Sequence, residues 1–102
     1  MCKLIKFLSK EVDILIVEDE IILAMAIELS LQEMDYNVSG IETTGHDAIE
    51  HAKVKRPDIV LMDINLKNSI SGIEAATKIW KSFKIPIIFL TSYHDDKTMK
   101  ET

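Results

Sequence analysis

Three apolar runs punctuate the chain, and each stops at a polar side chain. Asp13-Ile14-Leu15-Ile16-Val17 gives way to Glu18-Asp19-Glu20, Asp58-Ile59-Val60-Leu61-Met62 ends at Asp63, and Ile85-Pro86-Ile87-Ile88-Phe89-Leu90 ends at Thr91. Short, uninterrupted and rich in β-branched residues, they predict strands buried on both faces, as in a parallel sheet. Proline is tolerated at the start of the last run. A weaker strand is expected over residues 36–41.

Between these runs the spacing becomes helical. From residue 21 to 35, Leu23, Ile27, Leu31 and Met34 recur every three or four positions, and Ile22, Met25, Ala26 and Leu29 add a second apolar stripe. Thr44 with Asp47 and Ser71 with Glu74 have the spacing of capping boxes, opening two further helices. The first runs to Lys55 and is broken by Arg56-Pro57. Ile73, Ala76, Trp80 and Phe83 mark one face of the second, with Trp80 and Phe83 read as core. Another helix start is expected at Asp95 or Asp96. Strands alternating with helices predict an α/β fold, a doubly wound parallel sheet with helices on both faces.

Composition narrows the function classes. The 102 residues suit one domain, expected over residues 13–102, with residues 1–12 as a leader. Lys6 interrupts the apolar start and no small-residue cleavage site follows, so the leader does not read as a signal peptide. Seventeen acidic against twelve basic residues give a net charge of −5, which disfavours direct nucleic acid binding. No apolar run is long enough to span a membrane. A single cysteine, Cys2, excludes an internal disulfide and suits a cytoplasmic setting.

In open α/β sheets, ligands bind beyond the carboxyl ends of the strands. Glu18, Asp19, Asp63 and Thr91 all fall at such ends. If the strands over 13–17 and 58–63 are neighbours, at least three carboxylates converge, and like charges that close raise at least one pKa. A hard dication relieves the repulsion, and Mg²⁺ favours a few carboxylates plus water and phosphate oxygens. The site therefore reads as a small magnesium and phosphoryl centre.

Taken together, residues 14–20, 58–63 and 86–92 resemble the motifs of the response-regulator receiver domain, in order and spacing, from Asp13 to the end of the chain. The resemblance implies a flavodoxin-like sheet of strand order 2-1-3-4-5, with four of the five strands present here. It implies that Asp63 accepts a phosphoryl group from a sensor histidine kinase or histidine phosphotransfer domain. Asp19 then corresponds to a direct metal ligand, Glu18 to its companion acting through water, and Asn65 to a ligand through its backbone carbonyl. Thr91 corresponds to the hydroxyl that senses the phosphoryl group, and Tyr93 to a position that tunes its hydrolysis.

Two departures accompany the resemblance. The segment from Ile64 to Gly72 lacks the family's common proline and is one residue longer than its commonest form, predicting an altered loop shape. The chain also ends before the fifth strand with its phosphate-binding lysine, a place that Lys84, Lys97 and Lys100 do not fill. The last strand is then a bare sheet edge, open to homodimer pairing.

Two functions follow from different classes. One is a phosphoacceptor signalling module, not an enzyme beyond assisting its own phosphotransfer and dephosphorylation. The alternative is a degenerate or truncated receiver that serves as a protein-interaction or dimerisation module without phosphorylation. The doubly apolar first helix suggests that Ile22, Met25 or Leu29 meets a partner helix. His46, His51 and His94 are expected at the surface among polar neighbours.

Overall fold

The computed structural model describes residues 11–66 and 70–90. The start of the leader, Thr91, Tyr93, His94 and the helix start at Asp95 or Asp96 lie outside the described residues, as do residues 67–69 of the lengthened loop.

The elements alternate as expected: β1 (Asp13–Val17), α1 (Ile21–Glu33), β2 (Asn37–Glu42), α2 (Gly45–Lys55), β3 (Ile59–Asp63), α3 (Gly72–Phe83) and β4 (Ile87–Leu90). The four strands form one sheet in the order β2-β1-β3-β4, and every pairing is parallel. β1 therefore lies between two neighbours and beneath helices, and Leu15, Ile16 and Val17 have no exposed surface. That position explains its unbroken apolar run, since neither face meets water. Val17 pairs with Met62, so Glu18 and Asp63, each one residue further on, emerge level with one another.

Residues alternate between the faces of the sheet. On one face Leu15, Val17, Val60 and Met62 pack with Ala48 and Ala52 of α2 and with Ala75 and Ile79 of α3. Ile14 and Ile16 point the other way and are buried, and α1 packs against β1 and β2. Alanines let the helices approach the sheet closely: Ala24, Ala48, Ala52 and Ala75 are fully buried.

That use of small residues corrects two sequence expectations. In α3 the buried stripe is Ala75, Ala76 and Ile79, while Ile73 and Trp80 are 55% and 50% exposed. Phe83 is half-buried, with the Arg56 guanidinium 4.9 Å from its ring centroid. In α1 the one buried residue is Ala24; of the apolar stripe that marks the helix, Ile27 and Leu31 are half-buried, but Leu23 and Met34 are exposed. Apolar size alone does not select the inward face when the gap to the sheet admits only a methyl group.

Local chemistry sets the helix boundaries. Thr44 Oγ1 accepts a hydrogen bond from Asp47 N at 3.1 Å, and Ser71 Oγ accepts one from Glu74 N at 3.1 Å. Each satisfies a backbone donor that the first turn leaves without a helical partner. Arg56 and Lys84 adopt left-handed conformations (φ 50° and 58°) and return their N–H groups to Ala52 and Trp80 carbonyls, closing α2 and α3. α1 ends at Glu33, two residues earlier than the spacing predicts, because Asp35 turns to φ 67°. Thr44→Ala is expected to lower stability by about 1 kcal/mol, a fall of roughly 4–8 °C in a thermal melt of a domain this size.

Candidate acidic centre

The carboxyl ends of β1 and β3 bring Glu18, Asp19 and Asp63 together. One carboxylate oxygen from each lies within 4.8 Å of the others. Glu18 and Asp63 are nearly inaccessible, at 3% and 7% exposure, while Asp19 is partly open to solvent. Three of the residues singled out from the sequence thus meet at one rim of the sheet.

Backbone donors hold two of these carboxylates. Glu18 Oε1 accepts from Glu20 N at 3.0 Å, and Asp63 Oδ1 accepts from Asn65 N at 2.9 Å. The Glu18 N–H itself donates to the Glu42 carbonyl at 3.0 Å, tying the acidic turn to β2. Asn65, expected as a backbone-carbonyl ligand, therefore positions Asp63 through its N–H; its side chain is exposed. Thr91, the expected hydroxyl of the site, lies outside the described residues.

Burial pushes the Glu18 carboxyl up to about 7 from its ordinary 4.5, with the charge of Asp63 and hydrogen bonds to Asp19 and Asp63 adding to the rise. The bond from Glu20 N opposes the shift without cancelling it. Desolvation and neighbouring anions both favour the neutral acid, so the centre holds a proton where an exposed glutamate would have lost it.

Gly72, the first residue of α3, completes the setting. A Cβ there would lie 2.3 Å from the Asp63 carbonyl oxygen and 3.1 Å from Ile64 Cα. The helix therefore starts directly against the backbone that carries Asp63. Sequence spacing offered no sign of this contact, because it joins two segments across the loop. An all-oxygen set of three carboxyl groups, two of them withdrawn from water, has the chemistry to hold Mg²⁺ or Ca²⁺ and fits soft metals poorly.

Residues 14–102 match the response regulator receiver domain. The chain belongs to that family. Among its relatives, the phyllosphere-induced regulator PhyR of Methylorubrum extorquens is 39% identical over 82 residues, 79% of this chain and 31% of PhyR. The transcriptional regulatory protein PdtaR of Mycobacterium tuberculosis is 35% identical over 80 residues, 78% of this chain and 38% of PdtaR. The chain thus spans about a third of these relatives. Among solved structures, the signal receiver domain of a modulated diguanylate cyclase from Desulfovibrio desulfuricans superposes with a TM-score of 0.78 at 36% identity, covering 88% of this chain and 72% of that one.

The receiver fold accounts for the observed β2-β1-β3-β4 order, which the family resemblance implied. The chain is a receiver domain of the kind used in two-component signalling. No helix among the described residues is long and apolar enough to cross a membrane.

Proposed function

We propose that this receiver is a phosphoacceptor in a phosphorelay, with Asp63 taking a phosphoryl group from the phosphohistidine of a sensor kinase or histidine phosphotransfer domain. The observation that carries this reading is the meeting of Glu18, Asp19 and Asp63 within 4.8 Å at the carboxyl ends of β1 and β3. Asp19, Asp63 and the Asn65 carbonyl would hold Mg²⁺, with Glu18 acting through water. Bound there, the ion would neutralise the crowded anions and the charge on the incoming phosphoryl group. Asp63 supplies the attacking carboxylate oxygen: the new bond joins that oxygen to phosphorus, the phosphorus–nitrogen bond breaks, and the histidine leaves with the electron pair. The Asn65 N–H keeps the Asp63 carboxylate oriented for that attack. Thr91, the residue that follows β4 in sequence, would sense the phosphoryl group, whose charge of roughly −1.5 to −2 would reorganise nearby segments. Such a relay operates in the cytoplasm.

Incubation with Mg²⁺ and acetyl phosphate, followed by intact mass measurement, tests the proposal. A single phosphoryl adduct is expected on the native chain, and none on Asp63→Asn or when EDTA replaces the metal. A native chain that stays unmodified overturns it.

A second reading, a protein-interaction module without phosphorylation, has its own support. Ile22, Met25 and Leu29 of α1 are 85%, 52% and 63% exposed, an apolar surface of the kind that meets another protein. A relative of known structure, PhyR from Bartonella quintana, was crystallised in complex with the anti-sigma factor NepR. Among the described residues β4 is the last strand of the sheet, and pairing along it would offer homodimerisation as a further route in this reading.

A further inference from the structure

A second cluster of reactive side chains lies away from the acidic centre, between β2 and α2. Ser39 Oγ is 2.7 Å from His51 Nε2, and His51 Nδ1 is 2.8 Å from Glu42 Oε2. His51 was expected at the surface, yet its side chain is only 10% exposed and both ring nitrogens are engaged. The helical spacing around it could not reveal partners supplied by a neighbouring strand.

Two backbone features build this arrangement. Ile14 pairs with Val38 and Leu15 with Gly40, so Ser39 is an extra residue, a bulge in β2. In a regular strand, positions three apart such as Ser39 and Glu42 point to opposite faces. The bulge re-aims Ser39 and brings both residues to the face covered by α2. Gly40 clears room for the ring, because a Cβ there would sit 2.7 Å from His51 Cε1.

The chemistry follows from the order of the bonds. With Nδ1–H donating to the Glu42 carboxylate, the imidazole is held in the tautomer whose Nε2 accepts the Ser39 hydroxyl proton. A hydroxyl, a base within hydrogen-bond reach, and a carboxylate orienting that base are the parts of an activated nucleophile. β2 also lies at the sheet edge among the described residues. An edge strand presents backbone N–H groups that no neighbouring strand occupies, donors of the type that stabilise an oxyanion.

We propose that Ser39 is a nucleophilic serine that accepts an acyl group from a small ester, with His51 as its base and Glu42 as the positioning residue. Ser39 Oγ forms a bond to the acyl carbon while its proton passes to His51 Nε2. The ester C–O bond breaks, the leaving alkoxide takes that proton, and an acyl-Ser39 ester remains. This site does not depend on the phosphoacceptor reading.

The test uses p-nitrophenyl acetate on the full chain, with peptide mapping by mass spectrometry to locate and time the acetyl group. Ser39 is expected to be acetylated roughly 100-fold faster in the folded protein than in the same protein unfolded in urea, the lower end of what a positioned base contributes. His51→Gln should remove that advantage, and Glu42→Gln should lower it by at least about tenfold, as loss of the orienting carboxylate does in a triad. A thermal melt of each variant confirms folding, and Glu42→Gln decides if His51→Gln is unfolded. Acetyl groups found only on lysines or Cys2, or a Ser39 rate unchanged in the folded variants, would overturn the proposal.

Discussion

Gly72→Ala is expected to destabilise the domain by about 3 kcal/mol, the upper end of the usual overpacking range. The added methyl would lie 2.3 Å from the Asp63 carbonyl oxygen, far inside van der Waals contact. The obstacle is backbone, which cannot rotate away as a side-chain tip does. Relief requires α3 to withdraw from β3 or the turn after Asp63 to move. The first option opens the packing of Ala75 and Ile79 against Val60 and Met62 in the main core. The second shifts Asn65, whose N–H holds the Asp63 carboxylate. A fall in melting temperature of roughly 10–20 °C corresponds to that energy in a domain of this size. Thermal denaturation followed by far-ultraviolet circular dichroism measures it directly. A variant that melts within about 3 °C of the native chain, under 1 kcal/mol on the same scale, would show that the helix start yields without strain.

The frame of the molecule was legible because its information is local. The runs that became β1, β3 and β4 are apolar and β-branched, and a parallel strand buried on both faces requires little else. Glu18, Asp19 and Asp63 were legible for a related reason. A carboxylate that ends such a run has to emerge at the sheet's rim, and parallel strands place those rims side by side. Thr44 and Ser71 were readable as caps since their partners lie three residues away.

Features that join distant segments were not legible. His51 meets Ser39 and Glu42 through an unforeseen bulge, and nothing in a helical period reports what a neighbouring strand presents. Trp80 reads as core in the sequence, but the space between α3 and the sheet is filled by Ala75, Ala76 and Ile79. Nothing in the sequence around Gly72 reports that the Asp63 backbone lies against it.

The metal-free domain is expected to lose stability as the pH rises from 5 to 8, and Glu18→Gln is expected to remove much of that loss. Glu18 is 3% exposed and its pKa is pushed up to about 7, chiefly by burial. The folded state therefore holds a proton that the unfolded chain, titrating near 4.5, has already released. Stability from this proton is fully present below 4.5 and is lost as the pH climbs through about 7. The difference amounts to something of order 3 kcal/mol, or roughly 10–20 °C in melting temperature. A glutamine keeps an oxygen for the Glu20 N–H but carries no charge at any pH in the range. Comparing melts of the native chain and Glu18→Gln in EDTA at pH 5 and pH 8 isolates this contribution from that of the other carboxylates. Parallel slopes for the two proteins would show that Glu18 ionises freely in the fold. Adding millimolar Mg²⁺ extends the test to the proposed ligand set. A cation that binds only the folded form stabilises it by RT ln(1 + [L]/Kd), and it competes with the Glu18 proton. The native chain should gain more from Mg²⁺ at pH 8 than at pH 5, whereas Asp19→Asn should gain little at either. Equal gains in Asp19→Asn and the native chain would remove Asp19 from the ligands.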